Sequence, residues 1–207
     1  MRIKEDKYEE TIEAYKRLGK KYIKDIERLT PPEFFDFVKL LPRGGKVLEV
    51  GCSGGRDSKK FVQRGFRVIG IDLVNVFLKE ARKNVSNAKF IKMDFGKLKF
   101  HQNCFDAIWA NAVLLHLKKK DIAKTLRGFY RVLKPNGKLH IRVKKGKGIT
   151  YEKDVLSSSE RRLFVYFLKD ELERFVKKAG FKIIISRILP DDAGRKDVKW
   201  ISLWAEK

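Results

Sequence analysis

The chain has 207 residues, 43% hydrophobic and 36% charged, with a formal net charge of +23; that balance suits one domain with a full core and excludes a disordered polyelectrolyte or a fibrous repeat. No apolar run approaches the ~20 residues of a bilayer span, and the charged start Met1-Arg-Ile-Lys-Glu-Asp-Lys7 lacks the apolar centre of an export signal, so a cytoplasmic protein without membrane insertion is expected. The two cysteines, Cys52 and Cys104, form no C-x-x-C pair, which argues against a disulfide scaffold and against a metal site.

From Tyr8, apolar residues recur at helical spacing through Ile12, Tyr15, Leu18, Tyr22, Ile26 and Leu29, and Thr30-Pro31-Pro32 stops the run. One amphipathic helix is expected there, followed by a short helix over 33–41 that ends at Pro42 and Gly44-Gly45. Strand and helix then alternate: strand 46–50, helix 55–64, strand 66–71, helix 75–84, strands 89–93 and 105–110, helix 119–133 and strand 138–144. Such alternation implies a parallel sheet covered by helices on both faces. Residues 145–154 read as a polar, glycine-bearing loop. After Glu160 to Phe167, a helix over 169–179 ends at Gly180, and strands 181–187 and 198–205 close the chain around an exposed, turn-rich segment, 189–197.

Within this order the segment Val47-Leu-Glu-Val-Gly-Cys-Ser-Gly-Gly-Arg-Asp57 stands out as a strand-length apolar run that meets a glycine-rich turn before a helix. Asp72 ends the next apolar run, 21 residues after Gly51, where a carboxylate is placed to accept the two hydroxyls of a ribose. The turn does not follow G-x-G-x-x-G, because Arg56 stands where the last glycine belongs. Glu49 would also repel a pyrophosphate and suits an amine-bearing ligand better. These residues resemble motif I of the class I S-adenosylmethionine (SAM) dependent methyltransferases, with Glu49 in the acidic position and Ser53 replacing the usual middle glycine. Lys89-Phe-Ile-Lys-Met-Asp94-Phe95, the segment from Phe105 to His116, and Arg131 to His140 resemble the family's later motifs in the same order.

The resemblance implies a Rossmann-like, mostly parallel seven-stranded sheet whose last strand is antiparallel. It also implies one SAM-binding domain over 1–207, with 1–42 as an N-terminal helical lid or extension and 145–168 as an insertion on the substrate side. For SAM, with S-adenosylhomocysteine as product, Asp72 would hold the ribose and Asp94 with Phe95 the adenine. Leu73 would pack on the adenine's other face, while Gly51, Cys52, Ser53, Gly55 and Asp57 would surround the cofactor's backbone. Glu49 would reach its amino group directly or through water, and Ala110 and Asn111 lie at the end of strand four. The alternative for Asp72 and Asp94 is helix capping or loop solvation, and for Phe95 plain core. Tyr15 and Tyr22 share one face of the first helix and serve either as a lid over the sulfonium or as a core stripe.

Methyl transfer is a displacement that asks mainly for alignment and exclusion of water. His116 is the candidate base for a protonated nucleophile, with a packing role as the alternative. The motif for amino-group methylation of nucleic acids is missing, Ala110-Asn-Ala-Val113 standing in its place. A small-molecule acceptor is expected, and a protein that is monomeric or at most weakly oligomeric. An RNA methyltransferase, and a module that binds SAM or nucleic acid without catalysis, remain as alternatives. Lysine outnumbers arginine by about two to one, as on a solvated surface, although a charge of +23 would also draw a polyanion. Trp109, Phe164, Tyr166 and Phe167 are candidates for pocket walls, and Lys145 and Lys147 would favour an anionic substrate if their loop borders the pocket.

Overall fold

The computed structural model describes residues 7–154 and 159–207. Seven strands form one sheet in the order β3-β2-β1-β4-β5-β9-β8. They are β1 (Lys46–Val50), β2 (Arg67–Asp72), β3 (Lys89–Lys92), β4 (Phe105–Asn111), β5 (Leu133–Lys144), β8 (Lys182–Pro190) and β9 (Lys199–Glu206). The first five pair in parallel, and β9 runs antiparallel to both β5 and β8, as expected. The strand order reverses between β1 and β4. In open sheets of this kind that reversal opens a crevice at the carboxyl ends of the strands.

Period-two alternation explains why both faces are covered. Val47, Ala107, Trp109 and Trp204 pack on Phe34 and Phe37 of α2 (Phe34–Lys39) and Phe61 of α3 (Arg56–Val62). Leu48, Val50, Ile108, Ile141 and Val143 face the other way, onto Ile122, Leu126 and Phe129 of α5 (Lys119–Val132) and Leu172 and Val176 of α6 (Lys169–Lys178). A helix α4 (Asn75–Asn84) links β2 to β3.

The first helix, α1 (Lys7–Ile26), is not the single rod that the apolar spacing implies. It breaks at Gly19, whose φ of 51° and ψ of −135° lie outside the helical region and are readily reached only without a side chain. Residues 145–154 also differ from expectation. Ile149–Lys153 forms β6, paired antiparallel with β7 (Arg161–Val165), Ile149 opposite Val165. Strand-forming Ile149, Thr150 and Tyr151 outweigh the turn signal of Gly146 and Gly148. This hairpin holds α1, since Leu163 N donates to Thr11 Oγ1 at 2.8 Å. Among the described residues no helix is long and apolar enough to cross a membrane.

Candidate functional site

β1 ends in the glycine-rich turn because its next residues adopt left-handed backbone: φ is 66° at Gly51, 47° at Ser53 and 84° at Gly55. The amides of Gly51 and Cys52 donate to Ile71 O at 2.8 and 3.0 Å, tying the turn to the end of β2. A side chain at Gly51 would overlap Val113, and one at Gly54 would overlap Ile23 of α1. The turn therefore serves close packing under the N-terminal helix as well as ligand approach.

The turn is the floor of a cavity roofed by α1 and bounded by the ends of β1, β2, β4 and β5. Asp72 accepts Ser53 N at Oδ2 and Val74 N at Oδ1, both at 3.0 Å. Each oxygen keeps a lone pair, and burial pushes this carboxyl above its usual range. Glu49 and Asp57 form a second acidic pair, differently supplied. Asp57 takes two bonds from Arg56 at 2.7 and 2.8 Å, one from Trp109 Nε1 at 2.9 Å and one from Asn111 Nδ2 at 3.2 Å. Burial disfavours its charge, but these donors, Arg56 above all, hold it down to about 2. Glu49 receives the Ser58 hydroxyl. Burial first, and then the charge of Asp57, push Glu49 up to about 8. The cavity thus offers one fixed anion and one carboxyl ready to ionise beside a cation. Two further buried atoms, Ser53 Oγ and Asn111 Oδ1, have no hydrogen-bond partner among the described residues, and both residues line the cavity.

Aromatic rings make the roof. Tyr15 meets Tyr22 edge-on at 5.0 Å between centroids, and Tyr22 lies nearly parallel to Phe77 of α4 at 5.8 Å. Tyr8 also lines the cavity; burial, reinforced by the charges of Asp94 and Asp72, raises its phenol far above the usual value.

His116 does not suit a base. Its Nδ1 lies 2.6 Å from Leu163 O, which can only accept, so the proton sits on Nδ1 and Nε2 accepts the Tyr15 hydroxyl at 2.9 Å. Arg162 in turn donates to the Tyr15 oxygen. Burial, and then the positive charge of Arg162, lower the imidazole to about 3. His116 is a neutral strut that fixes Tyr15 of α1 to the hairpin.

A second group of residues lining the cavity is ionic. Arg142 grips Asp192 through both terminal nitrogens, and Arg195 grips Asp191 with Nε and Nη2 at 2.9 and 2.8 Å. Trp200 Nε1 donates to Asp191 at 2.7 Å. Asp154 takes Lys144 Nζ at 2.7 Å and Arg195 Nη1 at 2.8 Å, with Arg162 Nη2 at 3.7 Å. The segment 189–197 is turn-rich and mostly exposed, as expected, but the side chains of Asp191, Asp192 and Arg195 turn toward the cavity, where pairing offsets the cost of shielding each charge. Lys145 and Lys147 are exposed and do not line it.

Of the residues singled out from sequence, Glu49, Gly51, Cys52, Ser53, Asp57, Asp72, Leu73, Phe95, Asn111, Tyr15, Tyr22 and His116 line this one cavity, as do Trp109 and Phe164. Gly55, Asp94, Ala110, Tyr166 and Phe167 do not. Gly55 opens α3 against Ala81 and Val85, and Ala110 and Phe167 are core. Asp94 accepts Gly96 N at 2.7 Å and so caps the turn that presents Phe95. Sequence reasoning missed Tyr8, Phe77, Arg142, Lys144, Asp154, Asp191, Arg195 and Trp200. Only Tyr8 and Trp200 carried a usable signal, as aromatics beside an apolar stripe.

Comparison with known proteins adds three findings. Residues 48–141 match the family model described as a methyltransferase domain. Over 117 residues the chain is 36% identical to phosphoethanolamine N-methyltransferase 3 of Arabidopsis thaliana, a match covering 54% of this chain and 23% of that protein. The chain spans less than half the length of the curated relatives it matches. Among solved structures, a SAM-dependent methyltransferase of Methanosarcina mazei superposes with a TM-score of 0.74 at 21% identity, covering 86% of this chain and 98% of that one. The 1,6-didemethyltoxoflavin-N1-methyltransferase of Burkholderia thailandensis, solved with 1,6-didemethyltoxoflavin and S-adenosylhomocysteine, gives a TM-score of 0.77 at 21% identity and covers 97% and 86%.

Proposed function

We propose, from the premise that residues 48–141 are a class I SAM-dependent methyltransferase domain, that the protein transfers a methyl group from SAM to a small-molecule acceptor, in the cytosol and as a monomer. The observation that carries the reading is the convergence on one crevice of Asp72, the strained turn at Gly51–Ser53 and the unpartnered Ser53 Oγ and Asn111 Oδ1. These groups match a nucleoside bearing an amino acid: hydroxyls for Asp72, an ammonium for Glu49 and Asn111 Oδ1, and a flat base for the slot of Leu73, Phe95 and Tyr8.

SAM supplies an electrophilic methyl on a cationic sulfur. The chain's own task is to align and to exclude water. α1 does both, pressing Ile23 onto Gly54 and laying the rings of Tyr15 and Tyr22 over the cavity. His116, locked as a neutral acceptor, holds Tyr15 there and takes no proton from the acceptor. In this reading 1–42 is a lid and 145–168 a wall of the acceptor site.

The test incubates the protein with methyl-labelled SAM and a cell extract split into small-molecule, RNA and protein fractions. Label in the small-molecule fraction is expected. Label confined to RNA or protein, or absent from all three, contradicts the reading.

A further inference from the structure

Among the charged residues that line the cavity, one lysine is buried and incompletely paired. Lys144 is buried, with 5% of its surface exposed, and among the described residues Asp154 is its one carboxylate partner, at 2.7 Å. Asp154 is shared: Arg195 Nη1 reaches both its oxygens at 2.8 Å, and Arg162 approaches it at 3.7 Å. The Lys144 ammonium lies 3.8 Å from the centre of the Phe164 ring. An ammonium carries three N–H groups. Asp154 takes one and the ring face at most one more, which leaves a donor for a ligand. The neighbouring carboxylates are already neutralised, since Asp191 and Asp192 are each clasped by the fork of an arginine. Beside them, Phe164 and Trp200 supply apolar wall, and the Arg142 guanidinium stacks 4.5 Å from the Trp200 ring.

We infer that the acceptor is a small molecule with an anionic group, a carboxylate or a phosphate, on an apolar body, and that Lys144 binds that group. The inference rests on the methyltransferase reading, and it goes beyond it by naming the chemistry of the substrate. A cationic acceptor would meet Lys144, Arg162 and Arg195 at close range with every nearby carboxylate already committed to a cation. A neutral oxygen could take the same N–H, but with a bond roughly half as strong as the charge-assisted one an anion makes.

The test separates the labelled product of the incubation above by charge on an anion exchanger at pH 8, using the wild type, Lys144→Met, Lys144→Gln and Lys145→Met. Calorimetric titration with SAM reports in parallel whether each variant is folded and loaded. Retained label is expected, at least tenfold weaker in both Lys144 variants at unchanged SAM affinity and undiminished in Lys145→Met, whose parent side chain is exposed. Label that appears only in the unretained fraction overturns the inference while leaving the methyltransferase reading standing. So does undiminished label in the Lys144 variants, or loss of SAM affinity in both, which would make Lys144 structural. Failure of the wild type to bind SAM overturns the methyltransferase reading, and the acceptor subsite with it.

Discussion

The two ends of the cavity are held in place by different kinds of bond. At the end proposed for the cofactor, the carboxylate of Asp72 is fixed by two backbone amides within a few residues of the glycine-rich turn. At the end proposed for the acceptor, Arg142, Lys144, Asp154, Arg162, Asp191, Asp192 and Arg195 hold one another, through contacts between β5, the hairpin and the segment after β8. Backbone bonding fixes a position whatever the ligand. A buried ionic network is exact only while every member is paired, so the acceptor end is the more easily damaged and the more easily retuned.

The sharpest break in that comparison is Asp191→Ala. It strips the fork of Arg195 and the indole N–H of Trp200 of their acceptor. Since Arg195 keeps some exposure and Asp154, the expected loss is about 3 kcal/mol, at the low end for a broken buried pair. Thermal unfolding should show a drop of roughly 6 to 12 °C, and a drop under 2 °C would mean that the network carries no stability.

A pH series addresses the acidic pair at the cofactor end. Glu49 is raised to about 8 in the folded chain, so between the ordinary carboxyl range and pH 8 the native state holds a proton that the unfolded state has released. Stability contributed by this group therefore falls as pH rises through that window. Glu49→Gln should gain on the wild type between pH 6 and pH 8 by about 1 kcal/mol per unit. Parallel melting curves for the two proteins, with a constant offset across the range, would show that Glu49 is already ionised.

Smaller effects concern the roof. Tyr22→Ala removes one ring contact with Tyr15 and another with Phe77, and SAM affinity should fall about two- to tenfold with the melting temperature nearly unchanged. Equal affinity would reduce the stripe to packing. Gly19→Ala places a side chain at a backbone conformation that resists it, although the space around it is open, and about 1 kcal/mol of stability should be lost in denaturant unfolding. A gain would mean that α1 prefers to run straight.

How far each end was legible in the sequence follows the same division. Glu49, Gly51, Ser53 and Asp72 belong to a strand–turn–helix–strand unit whose spacing is local, and the sheet could be read from the same alternation. Arg142 and Asp192, or Lys144 and Arg195, acquire meaning only once β5, β9 and the hairpin are neighbours. In one dimension each reads as a solvated charge, so the exposed loop 189–197 gave no sign that three of its side chains turn toward the cavity, and Lys145 looked more relevant than Lys144. His116 misled for a related reason: its neutrality depends on Arg162 and on the carbonyl of Leu163, both on a strand that its own segment does not announce. The break in α1 did have a signal, a glycine in the middle of a helical pattern, which the regular apolar spacing masked.

The most direct test of the divided cavity is a calorimetric titration of SAM into the wild type, Asp72→Ala and Lys144→Met. Loss of a charged hydrogen-bond acceptor should weaken SAM by tenfold or more in Asp72→Ala, while Lys144→Met should match the wild type within twofold. Equal affinity in Asp72→Ala, or a comparable loss in Lys144→Met, would contradict the assignment of one end to cofactor and the other to acceptor.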